Sequence, residues 1–182
     1  MKGQIKILDK PSLRRMVGQL KAHLSDSEKQ RQADAVFTQI EQLQEFDAAE
    51  DVAVYWSLND EIDTSRFIEK LYKKKRIWLP VVVGGDLIFR QYTGIENMRK
   101  GAFGILEPTG RQLDNVAQFG LIIVPGVAFD LQNNRMGRGR GFYDRLLANS
   151  QAYKIGTAYS CQIFSQIPTE ETDIPMDLVV GG

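Results

Sequence analysis

Apolar residues return along this chain at two different periods, and the switches between them mark out its elements. Leu13, Met16, Val17, Leu20 and Leu24 recur every three or four positions behind Asp9 and Pro11, which suit a helix start, so a first helix is predicted over residues 11–24. Ser25 and Glu28 have capping-box spacing, and Ala33, Val36, Phe37, Ile40 and Leu43 continue the same period into a second helix. VAVYWSL at 52–58 then reads as a strand, residues 64–75 as a helix, and IWLPVVV at 77–83 as another strand. That order is a βαβ unit, with a right-handed crossover and parallel strands. Gly84, Gly85 and Asp86 turn the chain into an antiparallel strand over 87–92, which makes the expected sheet mixed.

Farther on, LIIV at 121–124 is apolar without alternation, as a central strand buried on both faces is. Ligands gather at the C-terminal ends of such strands. At that end the chain reads PGVAFDLQNNRMGRGRG before a short helical stretch FYDRLLAN, and later strands fit 153–159 and 176–180. No repeat or linker divides the 182 residues, a length that supports one substantial core, so one domain over 1–182 is expected. The expected fold class is α/β, a layered α/β/α sandwich around a mixed, mainly parallel sheet.

Composition narrows the chemistry. The 23 basic and 23 acidic residues cancel and the pI is near 6.6, so no global field draws nucleic acid or an anionic membrane, and an anion site must be a local concentration of charge. The opening MKGQIKILDK lacks a signal-peptide core, and no apolar run nears the roughly 20 residues that span a bilayer. A cytoplasmic protein, with neither nucleic acid nor membrane as partner, is therefore expected. A lone cysteine, Cys161, excludes an internal disulfide and multi-cysteine zinc sites, and the lone His23 lies in the first helical pattern. Any metal must be held by oxygen, which points to Mg²⁺ on carboxylates and phosphates.

The densest chemical signal is GRGRG at 137–141. Gly137, Gly139 and Gly141 remove three β-carbons within five residues, so backbone N–H groups are free to curl toward an anion. Arg138 and Arg140, flanked by Arg135 and Arg145, add forked charged donors, and the helix that follows aims its N-terminal N–H groups the same way. Neither common nucleotide loop is present, since Phe142 stands at the last glycine of G-x-G-x-x-G and no G-x-x-x-x-G-K-[ST] occurs. The plain alternative is a solvated loop whose arginines serve solubility; the position after a buried strand argues against it.

Carboxylates lie close by. Asp144, Asp130 and Asp177 each qualify as Mg²⁺ ligands, while Asp144 serves equally as a helix N-terminal charge and Asp130 as a turn residue. SLNDEIDT at 57–64 offers Glu61 and Asp63 to orient a polar substrate, with capping of the next helix the simpler role for Asp63 or Thr64. Lys73, Lys74, Lys75 and Arg76 close a helix and read as solvated surface. Trp56, Phe103, Phe129, Phe142 and Tyr143 are available as stacking walls for a heterocycle, although an aromatic residue is more often core.

Taken together, KPSLR at 10–14, SLNDEIDT at 57–64, MRKGAFGILEP at 98–108 and VPGVAFDLQNNRMGRGRGFYDR at 124–145 give a chain that resembles the 5-formyltetrahydrofolate cyclo-ligase family over nearly its whole length. The resemblance implies an enzyme that turns 5-formyltetrahydrofolate into 5,10-methenyltetrahydrofolate: ATP phosphorylates the formyl oxygen, N10 attacks that carbon, and phosphate leaves. It implies ATP held between Lys10, Pro11, Ser12, Leu13 and Arg14 on one side and Arg135, Met136, Gly137, Arg138, Gly139, Arg140, Gly141, Phe142 and Tyr143 on the other. Mg²⁺ is implied at Asp144 and Asp177, and the folate at Trp56 and Glu61. Arg138, Arg140 and Tyr143 form the expected catalytic set, in a protein expected to be monomeric. Phe142 departs from the family, where two tyrosines commonly end the loop. Positioning and charge neutralisation drive such a reaction, which suits a chain without a histidine pair. The competing readings are a non-catalytic sensor of a sugar phosphate or nucleotide, and a sugar-phosphate isomerase.

Overall fold

A computed structural model describes residues 8–101, 104–113 and 115–182. Its first helix, α1 (Lys10–Ala22), opens at Asp9, whose side chain accepts from the Ser12 N–H at 2.7 Å, with Pro11 in the first turn. Ser25 likewise accepts from the Glu28 N–H at 3.2 Å and opens α2 (Asp26–Ile40). The apolar period runs through Leu24 and Leu43, but both helices stop short of these residues. Ser25 takes the extended backbone of an N-cap, which ends α1 before it, and past Ile40 the chain turns into a separate short helix, α3 (Gln44–Ala48), which buries Phe46.

Next come β1 (Asp51–Ala53), α4 (Ser65–Leu71), β2 (Arg76–Val83) and β3 (Asp86–Gln91). Val83 faces Asp86 across a two-residue turn in which Gly84 and Gly85 have φ of 59° and 96°, so the predicted hairpin forms where glycine permits left-handed backbone. Two short strands, β4 (Met98–Lys100) and β5 (Leu106–Pro108), pair with each other. Then follow β6 (Leu121–Pro125), β7 (Ala128–Asp130), β8 (Arg135–Met136), α5 (Phe142–Leu147), β9 (Tyr153–Ala158), β10 (Ile163–Phe164) and β11 (Leu178–Gly181).

The main sheet runs β11-β9-β6-β1-β2-β3, parallel throughout except for the β2–β3 pair. Alternation divides its side chains between two faces. Val52, Val54, Ile77, Leu79, Leu121 and Ile123 pack beneath α2, α3 and α4, while Ala53, Trp78, Ile122 and Val124 point the other way, toward Leu147 of α5 and the connections around Phe119 and Met176. The layered mixed sheet is as expected, although among the described residues α5 is the one α-helix in its second layer's apolar cluster. α1 lies against neither face; its Leu13 and Val17 pack on Val127, Ala128 and Met136. Among the described residues no helix is long and apolar enough to cross a membrane.

Two predicted strands are shorter or shifted. VAVYWSL pairs as a strand only over Asp51–Ala53, because Tyr55 turns its carbonyl to the Thr64 hydroxyl at 2.8 Å and the chain leaves the sheet. The last strand begins at Leu178 rather than 176, since the Met176 N–H is spent on Asn133 O at 2.9 Å. The β7–β8 hairpin and β10 had no periodic signal, being only two or three residues long.

Candidate active site

β1 and β6 are neighbours in the sheet and run parallel, so the segments that leave their C-terminal ends meet. One is SLNDEI; the other leads to GRGRG through the β7–β8 hairpin. Asp130 builds the turn of that hairpin: 1% exposed, it accepts from the backbone N–H groups of Gln132, Asn134 and Ile167 and from the Asn134 amide at 3.0–3.1 Å. These bonds make Asp130 a turn residue. The hairpin returns the chain so that Met136 O accepts from the Val127 N–H at 2.8 Å, which sets Gly137 beside the end of β6. Gly139 (φ 97°) and Gly141 (φ 65°) then take conformations that L residues rarely adopt, and Gly141 caps α5.

Between loop and acidic turn lies a cavity of about 440 Å³, within the usual range for a small-molecule site. Gly137, Arg138, Arg140, Gly141, Phe142 and Tyr143 form one wall, and Trp56, Leu58 and Glu61 the other; Arg135 and Asp144 also line it. Arg138 joins the walls. Its Nη2 lies 2.6 Å from Asp60 Oδ1 and 3.0 Å from Glu61 Oε1, and its Nε donates to the same Glu61 oxygen at 3.3 Å. Partial burial pulls the Arg138 guanidinium down, but Asp60 and Glu61 outweigh it and raise its pKa above the ordinary value. Burial pushes the Asp60 carboxyl up in turn; hydrogen bonds from Lys21 and Arg138 prevail and hold it below the usual range.

Arg135 is 3% exposed. Its Nη2 donates to Asp144 Oδ1 at 2.7 Å and its Nη1 to Pro125 O at 3.2 Å, while its buried Nε has no partner among the described residues. Tyr143 places its ring 5.7 Å from this guanidinium. Burial first, and then the Glu61 charge, raise the Tyr143 phenol well above its ordinary pKa, so it stays neutral. Phe142, at the position of a family tyrosine, carries Arg145 over its ring at 5.5 Å.

Not every expected residue reaches the cavity. None of Lys10 to Arg14 lines it, although Arg14 reaches the loop, its Nε donating to Gly137 O at 3.0 Å. Lys10 is bound to Asp173 at 2.7 Å and Glu170 at 3.2 Å, Leu13 is core, and Pro11 and Ser12 form the first turn of α1. Met136 is core as well. Asp177 requires a correction: it sits at the start of β9, where its Oδ2 accepts from the Lys154 N–H and Nζ at 2.7 and 2.8 Å, and the structure does not bring it to the cavity wall beside Asp144. The cause is topological, since β11 enters the sheet at the opposite end from the loop. Phe129 is fully buried core rather than a stacking wall, and Phe103 lies outside the described residues. Asp63 accepts from the Ser65 N–H at 2.9 Å, the helix-capping role.

Other wall residues carried no clear sequence signal. Tyr55, Pro80, Val82, Leu87 and Glu107 line the cavity, yet all except Glu107 read as ordinary strand residues. Glu107 is a buried carboxylate inside the ILEP stretch, where an acid between apolar residues is a legible anomaly. A metal fits only in part. Among the described residues no three acidic, histidine or cysteine side chains converge, so these residues offer no complete cage. Asp144, with one oxygen on Arg135, suits a Mg²⁺ that arrives with phosphates, as that ion is commonly held.

A sequence model of the 5-formyltetrahydrofolate cyclo-ligase family matches residues 6–182. The chain belongs to that family. It is 34% identical over 174 residues to the 5-formyltetrahydrofolate cyclo-ligase of Escherichia coli strain K12, covering 91% of this chain and 96% of that one. With the enzyme of the same name from Haemophilus influenzae it shares 36% over 185 residues, 93% and 96% of the two chains. The NMR structure of Aquifex aeolicus 5,10-methenyltetrahydrofolate synthetase superposes with a TM-score of 0.87 at 36% identity, over 96% of this chain and 90% of that one. A 5,10-methenyltetrahydrofolate synthetase from Mycoplasma pneumoniae gives 0.77 at 25% identity, over 95% and 98%. Family membership thus covers both walls of the cavity, the acidic turn as well as the arginine loop.

Proposed function

We propose that this chain catalyses the ATP-dependent conversion of 5-formyltetrahydrofolate to 5,10-methenyltetrahydrofolate, releasing ADP and phosphate. One observation carries the reading: Arg138, of the phosphate-type loop, is held by Glu61, of the opposite wall, in one cavity. Its Nε and Nη2 face the acids, which leaves the Nη1 donors for an incoming anion. A site that must bring a γ-phosphate against a formyl oxygen needs such a link.

Glu61 has Oε2 on the Leu58 N–H at 3.0 Å and Oε1 on Arg138, and a carboxylate retains further lone pairs for the N–H groups of a pterin. Trp56 is fixed by stacking on Tyr92 at 6.0 Å, and presents a ready aromatic wall. The loop amides, Arg138 and Arg140 neutralise phosphate charge as it moves from ATP to the formyl oxygen. N10 then attacks the activated carbon, its proton is lost, and the C–O bond breaks to expel phosphate. Asp144 would hold Mg²⁺, which when bound supplies charge neutralisation at the phosphates. Tyr143, neutral and buried beside Arg135, lines the junction of the two substrates. Every named group comes from one chain, so the reading requires no partner subunit, and we extend it to a cytoplasmic monomer. Family membership does not favour the sensor or isomerase readings.

The test is direct. Purified protein with 5-formyltetrahydrofolate, ATP and Mg²⁺ is expected to generate the absorbance of the conjugated methenyl product, and to need all three. No product from folded protein overturns the assignment.

A further inference from the structure

Three consecutive carbonyls carry Glu61, and a side chain from a different part of the fold holds each. Lys21 Nζ, on α1, donates to Asp60 O at 2.7 Å; the Tyr159 hydroxyl, just past β9, to Glu61 O at 2.7 Å; and the Tyr55 hydroxyl, just past β1, to Ile62 O at 3.0 Å. The backbone beneath Glu61 is therefore fixed from three directions. Lys21 does more than cap. Only 5% exposed, it also donates to Asp60 Oδ2 at 2.7 Å, while Asp60 Oδ1 accepts from Arg138 at 2.6 Å.

A buried ammonium loses its hydration, and a lysine is retained in such a place only with full compensation. Here both compensating bonds go to the residue beside Glu61. Seven positions earlier on the same face of α1, about 10 Å along the axis at 1.5 Å per residue, Arg14 grips Gly137 O of the loop. α1 thus touches both walls of the cavity, one through Arg14 and one through Lys21.

We propose that Lys21 is a positioning residue that, through Asp60, holds Arg138 and Glu61 in register for the two substrates. The physical reason lies in the two carboxylate oxygens. With Oδ2 occupied by Lys21, Asp60 offers Arg138 only Oδ1, and the guanidinium still reaches Glu61. Freed of Lys21, Asp60 takes Arg138 with both oxygens, the preferred fork geometry, and draws it off Glu61 and away from the phosphate. This inference rests on the folate and ATP reading above.

A double-mutant cycle on kcat/KM for 5-formyltetrahydrofolate tests it, with Lys21→Met, Asp60→Asn and the pair together. Each single variant is expected to lose about tenfold, the order for a misplaced charged donor, and the double variant is expected to be no worse than Asp60→Asn alone. Turnover in Lys21→Met within twofold of the parent, or losses that multiply in the double variant, overturn the proposal. A purely structural role would lower the melting temperature and leave kcat/KM of the folded protein unchanged. Should Lys21→Met fail to fold, Asp60→Asn on its half-exposed side chain reads the same link, and unaltered kcat/KM there is equally fatal. An inactive parent protein refutes the folate reading and this proposal with it; an active parent with unaffected variants refutes this proposal alone.

Discussion

Replacing Arg138 by alanine removes a side chain that joins the loop to the acidic turn. In the ground state the loss is small. Arg138 is 46% exposed, and exposed ion pairs contribute about 0.2–1 kcal/mol, so unfolding stability should fall by no more than about 1 kcal/mol. For a chain of this size that is about 2–4 °C in melting temperature. In the transition state the loss is larger. Removing one preorganised donor from a dry site costs about 2.7–4 kcal/mol. The half-open position of Arg138 reduces this to about 1.4–2.8 kcal/mol, which at 1.36 kcal/mol per decade is about ten- to a hundredfold in kcat/KM. Initial rates of methenyl absorbance at saturating ATP and Mg²⁺, measured beside a thermal melt, separate the two quantities. Arg138→Lys should recover only part of the rate, because it keeps the charge and loses the fork that meets Asp60, Glu61 and the anion together. A folded Arg138→Ala protein that turns over within about threefold of the parent would refute the reasoning.

Gly141→Ala should destabilise by about 1–2 kcal/mol, the cost of an L residue in the left-handed region; its new Cβ also meets Arg145 Nη1 at 3.0 Å, which donates to Arg140 O, so a melt of Gly141→Ala beside one in an Arg145→Ala background separates the backbone strain from that contact. Asp60 titrates below its ordinary 3.8 in the folded protein, so the stability it adds is complete above that value and fades as the pH falls through the lower folded pKa. Urea unfolding at about pH 5 and about pH 3 should accordingly show the gap between parent and Asp60→Asn narrowing in acid, and a constant gap would remove Asp60 from the acid limb. ATP at a hundredfold its Kd should stabilise the protein by about 2.7 kcal/mol, with Mg²⁺ enlarging the shift and Asp144→Asn abolishing only that enlargement; an Mg²⁺ effect that survives in Asp144→Asn would place the ion elsewhere.

Much of the frame was legible because its causes are local. The starts of α1 and α2 lie in Asp9 with Pro11 and in Ser25 with Glu28, bonds that span three residues. The β2–β3 hairpin lies in Gly84 and Gly85, whose positive φ any such turn demands. LIIV proved a central strand, and GRGRG follows its C-terminal end by way of the β7–β8 hairpin. Strand lengths were less legible. VAVYWSL has strand propensity to Leu58, yet a tertiary bond from Thr64 takes Tyr55 out of the sheet.

Side-chain partnerships at the site belong to the tertiary structure. Arg138 meets Asp60 and Glu61 across 78 and 77 residues, and Lys21 meets Asp60 across 39. No periodicity reports such pairs. They follow from sheet order: β1 and β6 are adjacent and parallel, so the acidic turn and the arginine loop leave at the same end and share one cavity. The same order carries Asp177 to the start of β9 and onto Lys154. Residue types and spacing by themselves determined that a glycine-arginine loop follows a buried strand; which acids its arginines face was decided by which strands became neighbours.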